Sequence, residues 1–274
     1  MTLTRIAAAA AHFGRDIEHS LARIGKIISD ARDAGAGLLV LPDAAIGGYL
    51  ADLRRPDPSA LPPALVPEDP IFDRIAGLAR DMVVCVGYCE ASEEDRYNAA
   101  VALCGDGVLG RHRKVHLPGA EATVYRAGDS FTAFDTPAGR LGMLIDYDKT
   151  FPESARSLAR DGAQIVACLS AWPASITNQA PKLSQDRQSR LFDLYDCARA
   201  AENQIVVVSS NQTGGAGGMK FLGQAKVVGP AGNILARTWG KAGLVVAEVD
   251  VAAEIAAARR VLSHLDELRP ETYR

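Results

Sequence analysis

Four residues suited to acid-base chemistry follow apolar, strand-like runs at three places in the chain. Asp43 comes just after a run in "VLPDAAIGGY", Lys114 and Glu121 stand in "GRHRKVHLPGAE", and Asp146 ends the run in "LIDYD". A carboxylate at such a position can deprotonate water, and general-base help of this kind accelerates reactions by about 10²- to 10⁴-fold. In open α/β sheets, ligands bind beyond the carboxyl ends of the strands, so these four residues are candidates for one site.

Asp146 raises a question of its own because it ends an apolar run in "GMLIDYDKTFPE". Desolvating a carboxylate costs several kcal/mol unless another group pairs with it. The residue therefore lies either on a wet rim or in a site that needs it. A helix beginning near Pro152 would direct its positive end to this region and, with Lys114, favour the ionised carboxylate.

The elements that must position these residues alternate between strand-like and helical patterns. Helices are expected around 16–33, around 70–80, from residue 152 and around 183–202; strands are expected at 38–42, 82–87, 98–104, 141–146, 163–169 and 204–210. A hairpin at "FLGQAKVVGPAGNILART", the run "GLVVAEVD" and a short helix follow. This order predicts the α/β class, with sheet covered by helices. No long linker divides the chain, so one domain over 1–274 is expected, with 52–68 and 171–182 as its most mobile loops.

Composition restricts the kind of partner. The 274 residues are 48% hydrophobic and 23% charged, and 30 basic and 33 acidic side chains give a net charge of -3 without a block of like charge. This pattern argues against a nucleic-acid or membrane surface and favours a small-molecule or protein partner. Five cysteines, mostly in apolar runs, favour reduced thiols, and neither a signal peptide nor an apolar run of roughly 20 residues is visible. We therefore expect a cytoplasmic protein.

The same segments resemble the nitrilase superfamily, the carbon-nitrogen hydrolases, over nearly the whole chain. The three blocks are "LPDAAIGGY", "RHRKVHLPGAE" and "DYDKTFPE", which resemble the family's "LPE…GY", its Arg-Lys-x-His-Leu run with a later Glu, and its "CYD…RFPE". Further matches are "RAAEN", "SSNQTGG", "VVGPAGNILA" and "LRPETY". The shared order makes the resemblance specific. It implies an α-β-β-α sandwich of two mixed sheets flanked by helices, no cofactor or metal, and a homodimer or higher homo-oligomer formed through helices beside the site.

The resemblance also implies roles for the four residues. The family uses a glutamate base, a lysine that stabilises the tetrahedral intermediate, a second glutamate and a nucleophilic cysteine, and these fall on Asp43, Lys114, Glu121 and Asp146. Two of the four positions depart from the family pattern. The arginine before the family's "FPE" is also replaced, by Thr150.

An aspartate at the nucleophile position changes the chemistry that is available. Attack of a carboxylate on an amide would give a mixed anhydride, which is much less favourable than a thioester, so we expect Asp146 to activate water. Asp43 is one methylene shorter than glutamate and Asp146 is longer than cysteine, so the two replacements are compatible with each other in size. Three carboxylates around one ammonium cannot all ionise easily. At least one pKa should therefore be raised, that of Asp43 or Glu121 before that of Asp146.

Two functions follow from these considerations. The first is an enzyme that acts on a small amide, carbamoyl compound or nitrile by a non-cysteine route. The alternative is a catalytically inactive homologue that binds a small ligand or a partner in the inherited pocket. The loops expected to shape the pocket carry no motif that identifies the substrate.

Less specific interpretations of the same residues remain open at this point. Lys114 could belong to a solvated basic edge, and Asp43 could cap a turn after a proline. Cys168, in the next strand, could replace the missing nucleophile, although its apolar neighbours favour a small core residue. His116 with the three carboxylates would suit a divalent cation, although Lys114 opposes this by charge.

Overall fold

Helices form where apolar residues recur at three- and four-residue spacing. A computed structural model describes residues 3–273. In the helix Ile17–Asp33, Ile24 and Ile28 are buried, and the side chain of Asp16 accepts a hydrogen bond from the backbone N–H of His19 at the helix start. The helices are α1 (Ile17–Asp33), α2 (Ile71–Ala79), α3 (Pro152–Arg160), α4 (Arg187–Asn203) and α5 (Val251–Arg259).

The strands form two large mixed sheets and one short separate pair. They are β1 (Thr4–Ala11), β2 (Leu38–Val40), β3 (Ala64–Leu65), β4 (Val83–Ser92), β5 (Asp95–Cys104), β6 (Gly107–Arg113), β7 (Phe134–Thr136), β8 (Gly139–Ile145), β9 (Ile165–Leu169), β10 (Val206–Ser209), β11 (Asn211–Gln212), β12 (Gly215–Ala216), β13 (Met219–Lys220), β14 (Lys226–Val228), β15 (Ile234–Arg237) and β16 (Gly243–Val249). The first sheet has the order β11-β1-β2-β4-β5-β6, with β16 paired to β1 and β3 to β4, and the second has the order β15-β14-β10-β9-β8-β7. In each sheet the central strands are parallel and antiparallel strands are added at the sides.

The two sheets pack face to face, and helices cover their outer sides. Ile6 and Val40 of the first sheet share a buried cluster with Ile145 and Val208 of the second. Buried residues of α1 and α2 pack on the other face of the first sheet, and those of α3 and α4 pack on the other face of the second. The expected α-β-β-α sandwich is therefore confirmed. Within residues 3–273, no helix is both long and apolar enough to cross a membrane.

The sandwich includes one interior strand that the sequence patterns did not predict. "TRIAAAAA" forms β1, which pairs with β2 and β16 and is almost fully buried beyond Arg5. Alanine favours helices and is depleted in strands, so the local preference points the wrong way. Small side chains are accommodated here because one face of β1 packs against the helices and the other against the second sheet.

Two predicted boundaries also differ from the structure. The long helix expected from 183 begins at Arg187, after a separate 3₁₀ turn at Leu183–Gln185. Another 3₁₀ turn, Asp146–Thr150, separates the end of β8 from α3. The positive end of α3 is therefore not directly at Asp146, and the neighbouring positive group that the structure shows is Lys114.

Gly87 on β4 provides a test of how the fold places Asp43. A Cβ at this position would lie 2.6 Å from the backbone nitrogen of Ala44 and 2.8 Å from the Cα of Asp43. We expect Gly87→Ala to displace this loop and to lower the free energy of unfolding by about 1–3 kcal/mol, measured by urea denaturation. Gly77→Ala in α2 is the matched control because a Cβ there meets no atom within 4 Å. Equal stability of the two variants would show that the close approach at Gly87 is not a constraint.

Candidate active site

Three of the four predicted site residues form one buried ion cluster. The Nζ atom of Lys114 lies 2.9 Å from Oε2 of Glu121 and 3.4 Å from Oδ2 of Asp146. Lys114 and Glu121 are fully buried, and Asp146 is 5% exposed. Lys114 is thus not part of a solvated basic edge, although it directly follows β6.

Asp43, the fourth residue, lies beside this cluster. Its Oδ2 accepts a hydrogen bond of 3.0 Å from Nδ2 of Asn98 on β5, while its buried Oδ1 has no hydrogen-bond partner among the described residues. Burial raises the pKa of Asp43 to about 8; the charges of Asp146 and Glu121 raise it further, while Lys114 and Asn98 oppose the rise. The side chain is therefore placed in the site and paired with a side chain on a neighbouring strand, which does not support the interpretation as a turn cap.

Tyr49, the last residue of "LPDAAIGGY", completes the surroundings of Glu121. Its hydroxyl donates a short hydrogen bond to Oε1 of Glu121. Burial raises the pKa of Glu121 although Lys114 and Tyr49 oppose the rise. With Asp43, this confirms the expectation that at least one carboxylate pKa is raised.

The ammonium of Lys114 remains charged in this environment. Burial alone would lower the pKa of Lys114, but the carboxylates of Glu121, Asp146 and Asp43 outweigh burial and raise it. The site thus combines one buried positive charge with carboxylates that compete for it.

Asp146 has an unusual backbone conformation at the point where β8 ends. Its φ angle is 49°, in the left-handed region that non-glycine residues rarely adopt and that aspartate tolerates better than most. Asp146 lines a pocket of about 380 Å³ together with Tyr147, Trp172, Arg54 and Gln188. Its buried Oδ1 has no hydrogen-bond partner within the described part of the chain. This turn therefore presents one carboxylate oxygen to Lys114 and leaves the other free for a ligand or water.

Asp148 fixes the backbone on both sides of this cluster. One carboxylate oxygen accepts hydrogen bonds from the backbone N–H groups of Val115 and His116, immediately after Lys114. The other accepts from the backbone N–H of Ile145, immediately before Asp146. Although burial opposes it, hydrogen bonds from His112 and His116 lower the pKa of Asp148. A single buried carboxylate thereby ties the two segments that carry the lysine and the aspartate.

His116 belongs to this clamp and not to a metal cluster. Its Nδ1 lies 3.0 Å from Oδ1 of Asp148, and its ring stacks on Phe151 with 3.8 Å between centroids. Across residues 3–273, no group of three or more histidine, cysteine, aspartate or glutamate side chains is placed to hold a metal ion. The proposed grouping of His116 with the three carboxylates is therefore not formed.

Helix α4 holds the Asp146–Thr150 turn from its other side. Arg199 donates to the backbone carbonyls of Lys149 and Thr150, at 2.8 and 3.0 Å. The buried Nζ of Lys149 lies 2.9 Å from Oδ1 of Asp196, whose Oδ2 pairs with Lys226 at 2.8 Å. Sequence analysis noted "RAAEN" only as a family match and missed this ion network, because its members are far apart in sequence and look like surface charges.

None of the five cysteines lines the pocket beside Asp146 among the residues that the structure describes. Cys168 faces the cluster of apolar residues between the second sheet and its helices, and burial raises its pKa to about 12. Burial raises the pKa of Cys85 to about 12 as well and also raises those of Cys89 and Cys197. The interpretation of Cys168 as a small core residue agrees with this placement.

Comparison with known proteins identifies the family. Residues 5–259 match the family model described as "Carbon-nitrogen hydrolase". The chain belongs to this family. The family, the fold and the hydrolase class expected from the sequence motifs are thus confirmed.

Individual relatives show what kinds of activity occur in this family. A hydrolase in the pqqF 5′ region of Pseudomonas protegens is 31% identical, over 94% of this chain and 86% of its own length. An N-carbamoylputrescine amidase of Arabidopsis thaliana is 27% identical, over 94% of this chain and 90% of its length. Among solved structures, an amidase from Nesterenkonia sp. AN1 is 27% identical with a TM-score of 0.77, covering 98% of this chain and 94% of its own. That amidase carries the acetamide moiety of fluoroacetamide covalently added at its active-site cysteine.

The raised pKa of Asp43 predicts a pH dependence of stability. Its pKa rises from an ordinary value of 3.8 to about 8 on folding, so the folded state holds the proton more tightly than the unfolded state. The free energy of unfolding should therefore fall as pH rises through this window. Asp43→Asn, which cannot ionise, should lose less stability than wild type between about pH 5 and about pH 8 in urea titrations.

Asp106→Asn is the matched control because Asp106 is an exposed carboxylate in the β5–β6 turn. It should follow the wild-type pH profile. An Asp43→Asn profile that is parallel to wild type would mean that Asp43 ionises as freely in the folded protein as in the unfolded chain.

Proposed function

We propose that this protein hydrolyses a carbon-nitrogen bond of a small amide, carbamoyl compound or nitrile with water, and that Asp146 activates the water in place of a cysteine nucleophile. The observation that carries the proposal is the position of Asp146: it lines the pocket, lies 3.4 Å from the ammonium of Lys114 and keeps one oxygen without a partner. Membership in the carbon-nitrogen hydrolase family and the amidase activities of relatives support the reaction class.

The four residues have distinct tasks in this proposal. The free oxygen of Asp146 accepts a proton from water as the water attacks the substrate carbon. Lys114 stabilises the negative charge that develops on the substrate oxygen or nitrogen. Glu121, paired with Lys114 and Tyr49, holds the ammonium in place. Asp43, whose pKa is about 8, carries a proton near neutral pH and can donate it to the leaving nitrogen.

A water route fits Asp146 better than direct attack by its carboxylate. Attack on an amide would form a mixed anhydride, which lies far above a thioester in free energy, and a carboxylate is a weaker nucleophile than a thiolate. The neighbouring ammonium further reduces the nucleophilicity of the oxygen that it contacts. Deprotonation of water avoids the anhydride and requires only that the water lie within hydrogen-bond distance of the free oxygen.

Ligand binding without turnover is the second candidate, and the position of the cysteines favours it. The pocket lacks a thiol among its described lining residues, so the thioester chemistry of a cysteine amidase is absent there. In that case the pocket would bind an amide-like ligand or a partner. The expected homo-oligomer, the cytoplasmic location and the single domain over 1–274 stay predictions.

Asp146→Asn tests the water route because it keeps the side-chain shape and removes the base. Wild type should hydrolyse at least one member of a panel of small amides, carbamoyl compounds and nitriles. The variant should lose about 10²- to 10⁴-fold in kcat, measured by ammonia release, while Asp106→Asn retains wild-type rates.

Turnover in ¹⁸O-labelled water separates the two roles of Asp146. In the water route, the product acquires ¹⁸O and the peptide that contains Asp146 stays unlabelled by mass spectrometry. Label in the Asp146 carboxylate would show that this carboxylate attacked the substrate itself. Tight binding of panel members without any turnover would instead favour the inactive homologue.

A further inference from the structure

The candidate site contains more negative groups than one ammonium can neutralise. Asp43, Glu121 and Asp146 surround Lys114, and even with Asp43 protonated two carboxylates face one buried positive charge. Arg54 lines the pocket as well, but its side chain is exposed, so solvent screens its charge. The inner end of the pocket therefore favours a ligand that brings positive charge.

Lys149 is the other positive group close to the pocket. Its ammonium lies 3.2 Å from the ring centroid of Phe192 and 5.2 Å from that of Trp172, which lines the pocket. Asp196, at 2.9 Å, pairs with the ammonium, and Lys149 itself is not among the pocket-lining residues. Its charge is thus held behind the aromatic wall, and the carboxylates remain the charged groups nearest to a ligand at Asp146.

Hydrogen-bonding capacity at the inner end is also unbalanced. Oδ1 of Asp146 and Oδ1 of Asp43 are buried and have no hydrogen-bond partner among the described residues. Lys114, the strongest donor nearby, already contacts Glu121 and Asp146. A nitrile brings only an acceptor, and a primary amide brings two N–H donors and an acceptor. An amidinium group brings four N–H donors, no acceptor and a positive charge, so it matches the free carboxylate oxygens best.

We propose that the site selects amidinium or guanidinium compounds over amides and nitriles of the same shape, and that its hydrolytic activity extends to the carbon-nitrogen bond of an amidinium group. The turnover part of this inference rests on the proposed water route. The preference in binding does not, because it depends only on the charges and free acceptors at Asp146 and Asp43.

The reaction on an amidinium group balances with water alone. Asp146 takes a proton from water, the water oxygen bonds to the amidinium carbon, and a neutral tetrahedral intermediate forms. The protonated Asp146 then returns its proton to one nitrogen, the bond from carbon to this nitrogen breaks, and ammonia leaves. The remaining hydroxyl loses its proton to the ammonia, so one amidinium ion and one water give one amide and one ammonium ion.

The charge of the intermediate explains why this substrate suits an aspartate at position 146. Attack of water on an amide produces an oxyanion beside carboxylates, and Lys114 must then serve the oxyanion as well as its two partners. Attack on an amidinium ion neutralises the substrate, so no new negative charge develops next to Asp146. A site that carries excess negative charge therefore opposes the amide reaction more than the amidinium reaction.

Binding of acetamidine, acetamide and acetonitrile tests the preference, because these ligands share a two-carbon skeleton and differ in charge and N–H donors. Each is titrated into the full-length protein at constant ionic strength and followed by protein NMR. Acetamidine should bind wild type at least about ten-fold more tightly than acetamide. Asp146→Asn should reduce this ratio to near one, and Asp106→Asn should keep it.

Ammonia release from the same ligands separates this inference from the proposed function. Preferential binding of acetamidine with Asp146-dependent release of ammonia supports both. Preferential binding without turnover of any compound supports the selection and overturns the hydrolysis. Turnover of acetamide with equal binding of acetamide and acetamidine overturns the amidinium preference and leaves the water route standing. Retention of the preference in Asp146→Asn would also overturn the inference.

Discussion

The ion pairs of the buried Lys114 ammonium are the interaction on which the rest of the site depends. An ammonium that is fully removed from solvent loses several kcal/mol of hydration, and only close carboxylates with good geometry compensate for that loss. Glu121 and Asp146 supply them, from a loop and from the end of a strand in the other sheet. Removing one partner of such a pair typically costs about 3–5 kcal/mol. The cluster is thus a structural constraint between the two sheets as well as a candidate catalytic centre.

The surrounding residues act mainly to keep these charges in position. Asp148 binds backbone N–H groups next to Lys114 and next to Asp146, so it fixes their spacing. Arg199 binds two carbonyls of the same turn from helix α4. A left-handed residue at the end of a strand is conformationally costly, and these contacts on both sides explain how Asp146 is held there. The change from the cysteine used by the Nesterenkonia amidase to a carboxylate therefore alters the chemistry of the turn and not its support.

The sequence predicted the site well where local order carried the information. Short blocks ending in polar residues identified Asp43, Lys114, Glu121 and Asp146, and the structure brings all four together. It predicted the strands with branched apolar residues but missed β1, because a run of alanines has helical preference and only burial on both faces makes it a strand. Roles that depend on contacts over long separations, such as those of Asn98 and Asp148, could not be read from spacing.

The central claim, that these carboxylates share one buried ammonium, is tested most directly by NMR titration of ¹³C-labelled carboxyl groups. Wild type is compared with Lys114→Met and with Lys26→Met, whose lysine is exposed on α1. Loss of the Lys114 charge should raise the pKa values of Glu121 and Asp43 further, because the ammonium now lowers both. The Lys26 variant should leave them unchanged. Carboxylate pKa values that are the same in wild type and Lys114→Met would contradict the account.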